Sequence, residues 1–507
     1  MADNCTYTDI ISAKDGSLIP AQGGIAFHST YNPVREGEQF AAQFDDSDAE
    51  TFFVVIGLCG GFHIQALLRR FPRCTILAVE KNQEDIDFLK SLPVNQQILQ
   101  NGQVQVCAAP AVSETLSSEF IPAEHHAIKV VSLRSWEHRC AETAKVIKDR
   151  VQETLPVISA DFSVQSHFGG IWQRNIFVNL HLAKKLRAQD ISIPTEKKAA
   201  VIAAGPSLDE HIQELIAHRD SYVIIATDTG YRALLRRGIK SDFVVSVDAQ
   251  MVSHAHFFGA EKETTFVLDI SGNPATARKL SEKSAVQFVQ TGHPLSACAS
   301  QFSETPLPFL HSGSGTVTIA AADFAVQAGF REIVFFGTDF GYLNGKAYAR
   351  GTYLDDLYNA GSNRLNPSET RFSALLFRSP LIQKEKNRAT TKLLESYEKS
   401  LTDFMIVNNF IKKADNTYIW AGEKNHPRET EKGTAVYIRP FDTQTFFRRY
   451  ESELHEAFKN GLNRKTPAWV TLLPYLAWLK RKFGSAESFE EIIRQAYTKT
   501  LEYTERL

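Results

Sequence analysis

Residues 199–210 read AAVIAAGPSLDE: an apolar run enters Gly205-Pro206-Ser207 and leaves as a helical pattern. A near-continuous apolar run is the signature of a strand buried on both faces of a parallel sheet. After the turn, Leu208, Ile212, Leu215 and Ile216 recur at helical spacing. Strand, small-residue turn and helix N-terminus form the unit from which open α/β sheets build ligand sites, because ligands lie outside the carboxyl ends of the strands. The same rhythm continues, with strands expected at 222–227, 243–247, 265–270, 286–290 and 333–337.

Upstream, apolar runs at 52–56, 75–79, 104–108 and 128–133 predict an earlier α/β unit, and residues 137–187 predict a helical connector. Past Arg371 the strand rhythm fades, and stretches such as LESYEKSLTDFMIVNNFIKK and AWVTLLPYLAWLKRKFG read as mainly helical. The expected fold class is α/β: a Rossmann-like N-terminal unit (1–190), a central doubly wound α/β domain (191–380) and a mainly helical C-terminal domain (381–507).

Composition bounds the function. The chain has 507 residues, 43% apolar and 22% charged, with a net charge of −2. That balance gives no overall pull toward nucleic acid or anionic membrane. Cys5, Cys59, Cys74, Cys107, Cys140 and Cys298 show no CxxC spacing, which argues against a disulfide framework or a thiolate metal site. No apolar run is long enough to span a bilayer, and MADNCTYTDIISAKDG lacks the basic and apolar regions of a signal peptide. A cytoplasmic enzyme is expected, with no cofactor and no metal.

The expected strand ends carry small and polar residues. Gly205 lets backbone approach a ligand, and Ser207 sits where a helix N-terminus favours phosphate. Ser207-x-x-Glu210 is equally the pattern of a capping box. Thr227-Asp228 ends the next strand and Ser246-Val247-Asp248 the third; Asp228 reads either as a site acid or as a helix cap. Ser312-Gly313-Ser314-Gly315 before the helical TVTIAAADFAVQA makes a second candidate cradle for phosphate or ribose. Last come Gly337-Thr-Asp339 and a glycine-bearing segment with Tyr342 and Tyr348, which could close over a ligand.

These pieces resemble the motility-associated factor glycosyltransferases of flagellated bacteria. The resemblance rests on FHSTYNPVREGEQ, SHFGGIWQRNIFVN, AAGPSLDEHI, IKSDFVVSVDAQ and HSGSGTVTIAAADFAVQAGFREIVFFGTDFG, in that order, over roughly residues 25–350. The central domain is also similar to the bacterial sialyltransferases, which use a cytidine-monophosphate (CMP) sugar and need no metal. That similarity implies that Gly205, Pro206, Ser207, Ser312 and Gly313 contact the nucleotide. It also implies that Asp339, Tyr342 and Tyr348 serve catalysis, the phenols stabilising the departing phosphate. The similarity also matches Gly337, at the head of the Gly-x-Asp-Phe motif, and Thr227, Asp228, Asp248 and Ser314 join the expected binding set from their strand-end or cradle positions. The pattern departs in two places: Gly341 puts Tyr342 one residue out of step, and no histidine follows Tyr348 closely. The catalytic base stays open among His293, His311, Asp248 and His426.

The resemblance implies transfer of a nonulosonic sugar (sialic-acid-like, such as pseudaminic acid) from its CMP donor to Ser or Thr of flagellin, in support of flagellar assembly and motility. Two alternatives stand beside it. A related group with the same Gly-Pro-Ser domain resembles 6-hydroxymethylpterin diphosphokinase, in which Asp228, Asp248 and Asp339 would hold Mg²⁺ against ATP. A non-catalytic flagellar binding protein would keep the fold without the chemistry. Weaker patterns read as scaffold or solvated surface: Gly57-x-x-Gly60-Gly61 with Glu80, the pairs His254-x-His256 and His125-His126, and Lys480-Arg481-Lys482.

Overall fold

The computed structural model describes residues 5–45, 50–125, 127–313, 315–413, 416–422, 435–459, 466–484 and 487–505. The chain divides into two compact units, Met1–Gly169 with Leu473–Arg494 and Gly170–Leu472 with Gln495–Leu507.

The first unit is built on four parallel strands, β1 (Thr51–Ile56), β2 (Thr75–Glu80), β3 (Val104–Ala108) and β4 (Ala127–Ser132), in the order β3-β2-β1-β4. Every residue of β1 and β2 is buried, as the apolar runs require. A short antiparallel sheet precedes them, formed by Asp9–Ser12, Leu18–Gln22 and Ile25–Ala26. A helix, α1 (Ala141–Ala183), supplies the connector.

The second unit carries the larger sheet. Its strands are β5 (Lys198–Ile202), β6 (Tyr222–Thr227), β7 (Phe243–Ser246), β8 (Thr265–Asp269), β9 (Val286–Val289) and β10 (Glu332–Phe336), these six parallel to one another. A small antiparallel sheet follows, from β11 (Tyr342–Leu343), β12 (Ile382–Glu385) and β13 (Arg388–Thr390). Then β14 (Phe410–Lys412) and β15 (Thr417–Trp420) return to the main sheet, whose order is β9-β8-β7-β6-β5-β10-β15-β14. The chain winds outward from β5 to β9 and resumes on the other side of β5 with β10, so the winding reverses between β5 and β10.

Helix α2 (Leu208–Ala217) follows β5, α3 (Asp228–Leu235) follows β6, α4 (Pro274–Ser281) follows β8 and α5 (Val317–Ala328) precedes β10. Helix α5 packs across β5, β6 and β7, and nearly all its residues are buried. Its alanine-rich sequence follows from that burial, since a helix enclosed on most sides has room for small side chains only. Farther along lie α6 (Ser368–Leu376) and α7 (Lys392–Val407).

The six central strands fall where the apolar runs place them, within a residue or two at each end. The C-terminal region is mainly helical, as expected, yet its β14–β15 hairpin completes the central sheet. Phe410-Ile411-Lys412 extends a long helical pattern in sequence. The break is Asn409, at φ +63, a left-handed residue beyond the end of α7.

The motif SHFGGIWQRNIFVN lies within α1 and its asparagines have structural work. In the second unit Asn175 donates to the carbonyls of Ala249 and Ser271, at 3.1 and 3.0 Å. Asn179 donates to those of Ile270 and Gly272, at 2.8 and 2.9 Å. Two buried carboxamides thus satisfy loop carbonyls that follow β7 and β8, fixing the loops at the carboxyl ends of the sheet.

Candidate active site

A cavity of ≈ 330 Å³ opens at the carboxyl ends of β5, β6 and β10. This is the switch point, where loops that leave in opposite directions part and make room for a ligand. Gly205, Thr227, Asp228, Gly337, Asp339, Tyr342 and Tyr348, all expected from sequence, line it together.

Close packing explains the glycines. A Cβ on Gly205 would stand 2.0 Å from Asp339 Oδ2 and 2.5 Å from the Gly337 carbonyl oxygen. Gly205 N–H donates to that carbonyl at 2.8 Å, so the two strand-end turns are joined directly. Gly337 adopts φ +65, and a Cβ there would meet the Ala203 carbonyl oxygen at 2.6 Å. Asp339 Oδ2 accepts the Ser207 amide N–H at 3.1 Å. The acid thus caps the amino end of α2 from another strand, while the Ser207 hydroxyl makes no capping hydrogen bond. The capping-box reading of Ser207 and Glu210 fails because Ser207 itself has helical φ and ψ (−62°, −18°), unlike the extended backbone usual at an N-cap.

At the end of β6, Thr227 is the cap: its hydroxyl accepts Gly230 N–H at 3.2 Å and donates to the Ile202 carbonyl at 3.1 Å. Asp228 is therefore not the cap but a buried acid in the first turn of α3. Its Oδ1 accepts Thr229 N–H at 2.7 Å and its Oδ2 accepts the Ser246 hydroxyl at 2.7 Å. Asp248 lines a separate small pocket with Ser246 and Asp269. Burial pushes the Asp248 carboxyl above the usual range, and the nearby charge of Asp228 adds to this.

The tyrosines converge from the segment after β10. Phe340 has φ +43, a left-handed conformation rare for a bulky residue. A Cβ on Gly341 would stand 2.8 Å from the Ala389 carbonyl oxygen, so β13 packs against this point and demands glycine. Tyr342 then pairs with Ala389 in the small sheet. The next segment is pinned, not free to close: Ala349 N–H donates to the Ala204 carbonyl at 2.9 Å, and Arg350 N–H reaches the Asp209 carboxylate at 3.2 Å. Burial raises the Tyr348 phenol above its ordinary value, and Tyr342, Tyr358 and Asp228 reinforce the shift. The phenol keeps its proton at neutral pH and can donate a hydrogen bond.

Several expected residues lie outside the cavity lining. Pro206 and Ser207 do not face it, Asp248 sits in its own pocket, and Ser312 and Gly313 lie just before the lining stretch. Gly315, Thr316, Val317 and Thr318, at the amino end of α5, line it instead. Ser314 lies outside the described residues. Sequence reading missed Leu375 of α6, and Leu394 and Tyr397 of α7, which wall the cavity from far along the chain. Their helical spacing marks only a buried face.

Of the bases named from sequence, His293, His311 and Asp248 do not line the cavity. His293 caps a helix through Nδ1, which accepts Leu295 N–H at 3.2 Å, and burial holds its pKa down to about 3. His311 stacks on Phe404 at 5.5 Å. His426 and His126 lie outside the described residues. Among the described residues no three of His, Cys, Asp and Glu are placed to hold a metal ion, and no helix is long and apolar enough to cross a membrane.

In the first unit, Glu80 is fully buried and its oxygens are taken by the protein itself. Oε1 accepts from Tyr7 Oη at 2.8 Å, Leu58 N at 2.7 Å and Cys59 N at 3.0 Å, and Oε2 accepts Trp136 Nε1 at 3.0 Å. Both Glu80 oxygens thus serve to hold the Gly57–Gly61 loop, Tyr7 and Trp136 in place, a scaffold role.

Residues 173–345 match the family model described as MptE-like: 6-hydroxymethylpterin diphosphokinase MptE-like. An uncharacterized protein of Treponema pallidum (strain Nichols) is 33% identical over 145 residues, which are 29% of this chain and 69% of that protein. A second uncharacterized protein of the same organism is 31% identical over 247 residues, 48% of this chain and 77% of that one. The structure of the MAf glycosyltransferase from Magnetospirillum magneticum AMB-1 aligns with a TM-score of 0.52 at 16% identity, covering 99% of this chain and 92% of that one. The chain belongs to one family with these treponemal proteins; its residues 173–345 are MptE-like, and it shares the fold of the MAf glycosyltransferase from Magnetospirillum magneticum AMB-1.

Proposed function

We propose that this chain is a glycosyltransferase that moves a nonulosonic sugar from a CMP donor to Ser or Thr hydroxyls of flagellin in the cytoplasm, without a metal. One observation carries the reading: Tyr342 and Tyr348 line the same cavity as the Gly205 and Gly337 turns and the amino end of α5. The α5 N-terminus and strand-end amides suit a phosphate. The phenols line the cavity that would hold this phosphate and are donors suited to the charge that grows as the sugar–phosphate bond breaks. The sugar then passes to the acceptor oxygen and CMP departs with the bond's electron pair. The acceptor hydroxyl loses its proton to a base, and the carboxylates that line the cavity are Asp228 and Asp339.

The test is ligand binding followed by turnover. Saturating CMP is expected to raise Tm without divalent metal, by mass action. Intact flagellin incubated with the protein and a CMP-nonulosonate is expected to gain the mass of one or more sugar residues. No gain in mass would remove the transferase reading.

A second reading, 6-hydroxymethylpterin-type diphosphokinase, is favoured by the description of the matching family model over 173–345. Asp228 and Asp339 do line one cavity, but Asp248, the third acid that reading needs, lines another. A Tm shift seen only with ATP and Mg²⁺ would promote it.

A further inference from the structure

A groove of ≈ 810 Å³ lies in the second unit at the amino-terminal edge of the sheet, the edge opposite the candidate active site. It runs between the end of α1, the loop entering β8, the last turn of α4 and the loop entering β9. Its walls carry Lys185, Arg187, Lys262, Arg278 and Lys283, against a single carboxylate, Glu282. All five cations are exposed, and none has a carboxylate partner among the described residues. In a chain of net charge −2, five unpaired cations around one depression are a local excess. Complementing the α4 helix dipole accounts for Arg278. It does not account for Lys262, or for Lys185 and Arg187, which come from other segments. The floor is apolar, formed by Leu182, Leu186 and Ile438.

We propose that this groove binds an acidic polypeptide segment that also carries apolar side chains. Carboxylates would pair with the cationic walls while an apolar side chain covers the leucines, and the wall charges would speed encounter as well as hold the complex. Nucleic acid fits less well, since no aromatic ring lines the groove to stack on a base. A membrane surface fits less well because the apolar floor is recessed below charged walls, whereas interfacial elements present an apolar face outward. The proposal does not depend on the reaction at the other edge of the sheet.

The test uses the full chain and fluorescence anisotropy. The probes are a fluorescein-labelled peptide of Glu and Leu, the same peptide with Gln for Glu, a labelled oligothymidine, and vesicles containing phosphatidylserine. The Glu–Leu peptide is expected to bind, to weaken as salt rises, and to bind better than the other three probes. The double variant Arg187→Glu, Arg278→Glu should weaken its binding by at least about tenfold, since each exposed reversal replaces an attraction by a repulsion. The Tm of that variant should stay within a few degrees of wild type, because both side chains are exposed. Equal binding of the Gln peptide, unchanged affinity in the double variant, tighter binding of oligothymidine or vesicles, or no binding at low salt would each overturn the proposal.

Discussion

The Asp339 carboxylate accepts the Ser207 amide N–H at 3.1 Å, tying the turn after β10 to the amino end of α2. The tie replaces the local cap that the sequence offers. Asp339→Ala is therefore expected to cost about 0.5–2 kcal/mol of stability, the usual range for losing a helix cap. Ser207→Ala should change stability far less, because the Ser207 hydroxyl caps nothing. Urea unfolding of both variants checks the order. A larger loss in Ser207→Ala would show that the cap is local after all.

Gly205→Ala tests the closeness of the two turns. The added Cβ would stand 2.0 Å from Asp339 Oδ2 and 2.5 Å from the backbone oxygen of Gly337. The backbone oxygen cannot swing away, so the turns must part and the cavity must change shape. CMP binding by calorimetry is expected to fall below detection while most of the secondary structure survives by circular dichroism.

Tyr348→Phe isolates one hydroxyl. The half-buried ring keeps its packing in the variant, and only the donor is lost. If the phenol acts on the departing phosphate, turnover should fall on the order of 10²-fold with donor affinity nearly unchanged. The Tyr342→Phe variant should move in the same direction. Steady-state kinetics with a CMP-sugar and flagellin separates kcat from KM, and wild-type turnover in Tyr348→Phe would remove it from the mechanism.

Glu80 should make the first unit sensitive to pH. Burial raises its carboxyl to about 7 from an ordinary 4.5, outweighing its backbone and side-chain donors. A raised carboxyl binds more protons folded than unfolded between those two values. Stability should therefore fall as pH rises through that window and level off above about 7, a loss of roughly 3 kcal/mol. Urea midpoints followed by tryptophan fluorescence from pH 5 to 8 should show the slope, because Trp136 donates to Glu80. The Glu80→Gln variant should lack it.

Ending the chain at Ser379 should abolish CMP binding. That truncation removes Leu394 and Tyr397 from the cavity wall, and it removes β14 and β15 from the sheet. The antiparallel β15 covers the edge of β10, so its loss exposes an unpaired strand and favours aggregation. Size-exclusion chromatography with nucleotide binding decides the point.

The sequence alone determined where the parallel strands of the central sheet lie and which residues stand at their carboxyl ends; their order came from the structure. Apolar runs, small-residue turns and helical spacing are local signals, and in the parallel strands of the central sheet they agree with the final fold. Gly205, Asp228, Asp339 and Tyr348 were legible because strand ends in a parallel sheet all point to one edge. Only the tertiary structure decided how those residues are used. Ser207 loses its capping role to Asp339, which lies 132 positions along the chain. Leu375, Leu394 and Tyr397 reach the cavity through a long excursion that no short-range pattern encodes. The β14–β15 hairpin could not be told from the end of a helix until Asn409 took a left-handed turn and β10 offered an open edge. Which cations of the Lys185–Lys283 groove meet was likewise fixed only by folding, since its walls come from separate segments whose charges are unremarkable one at a time.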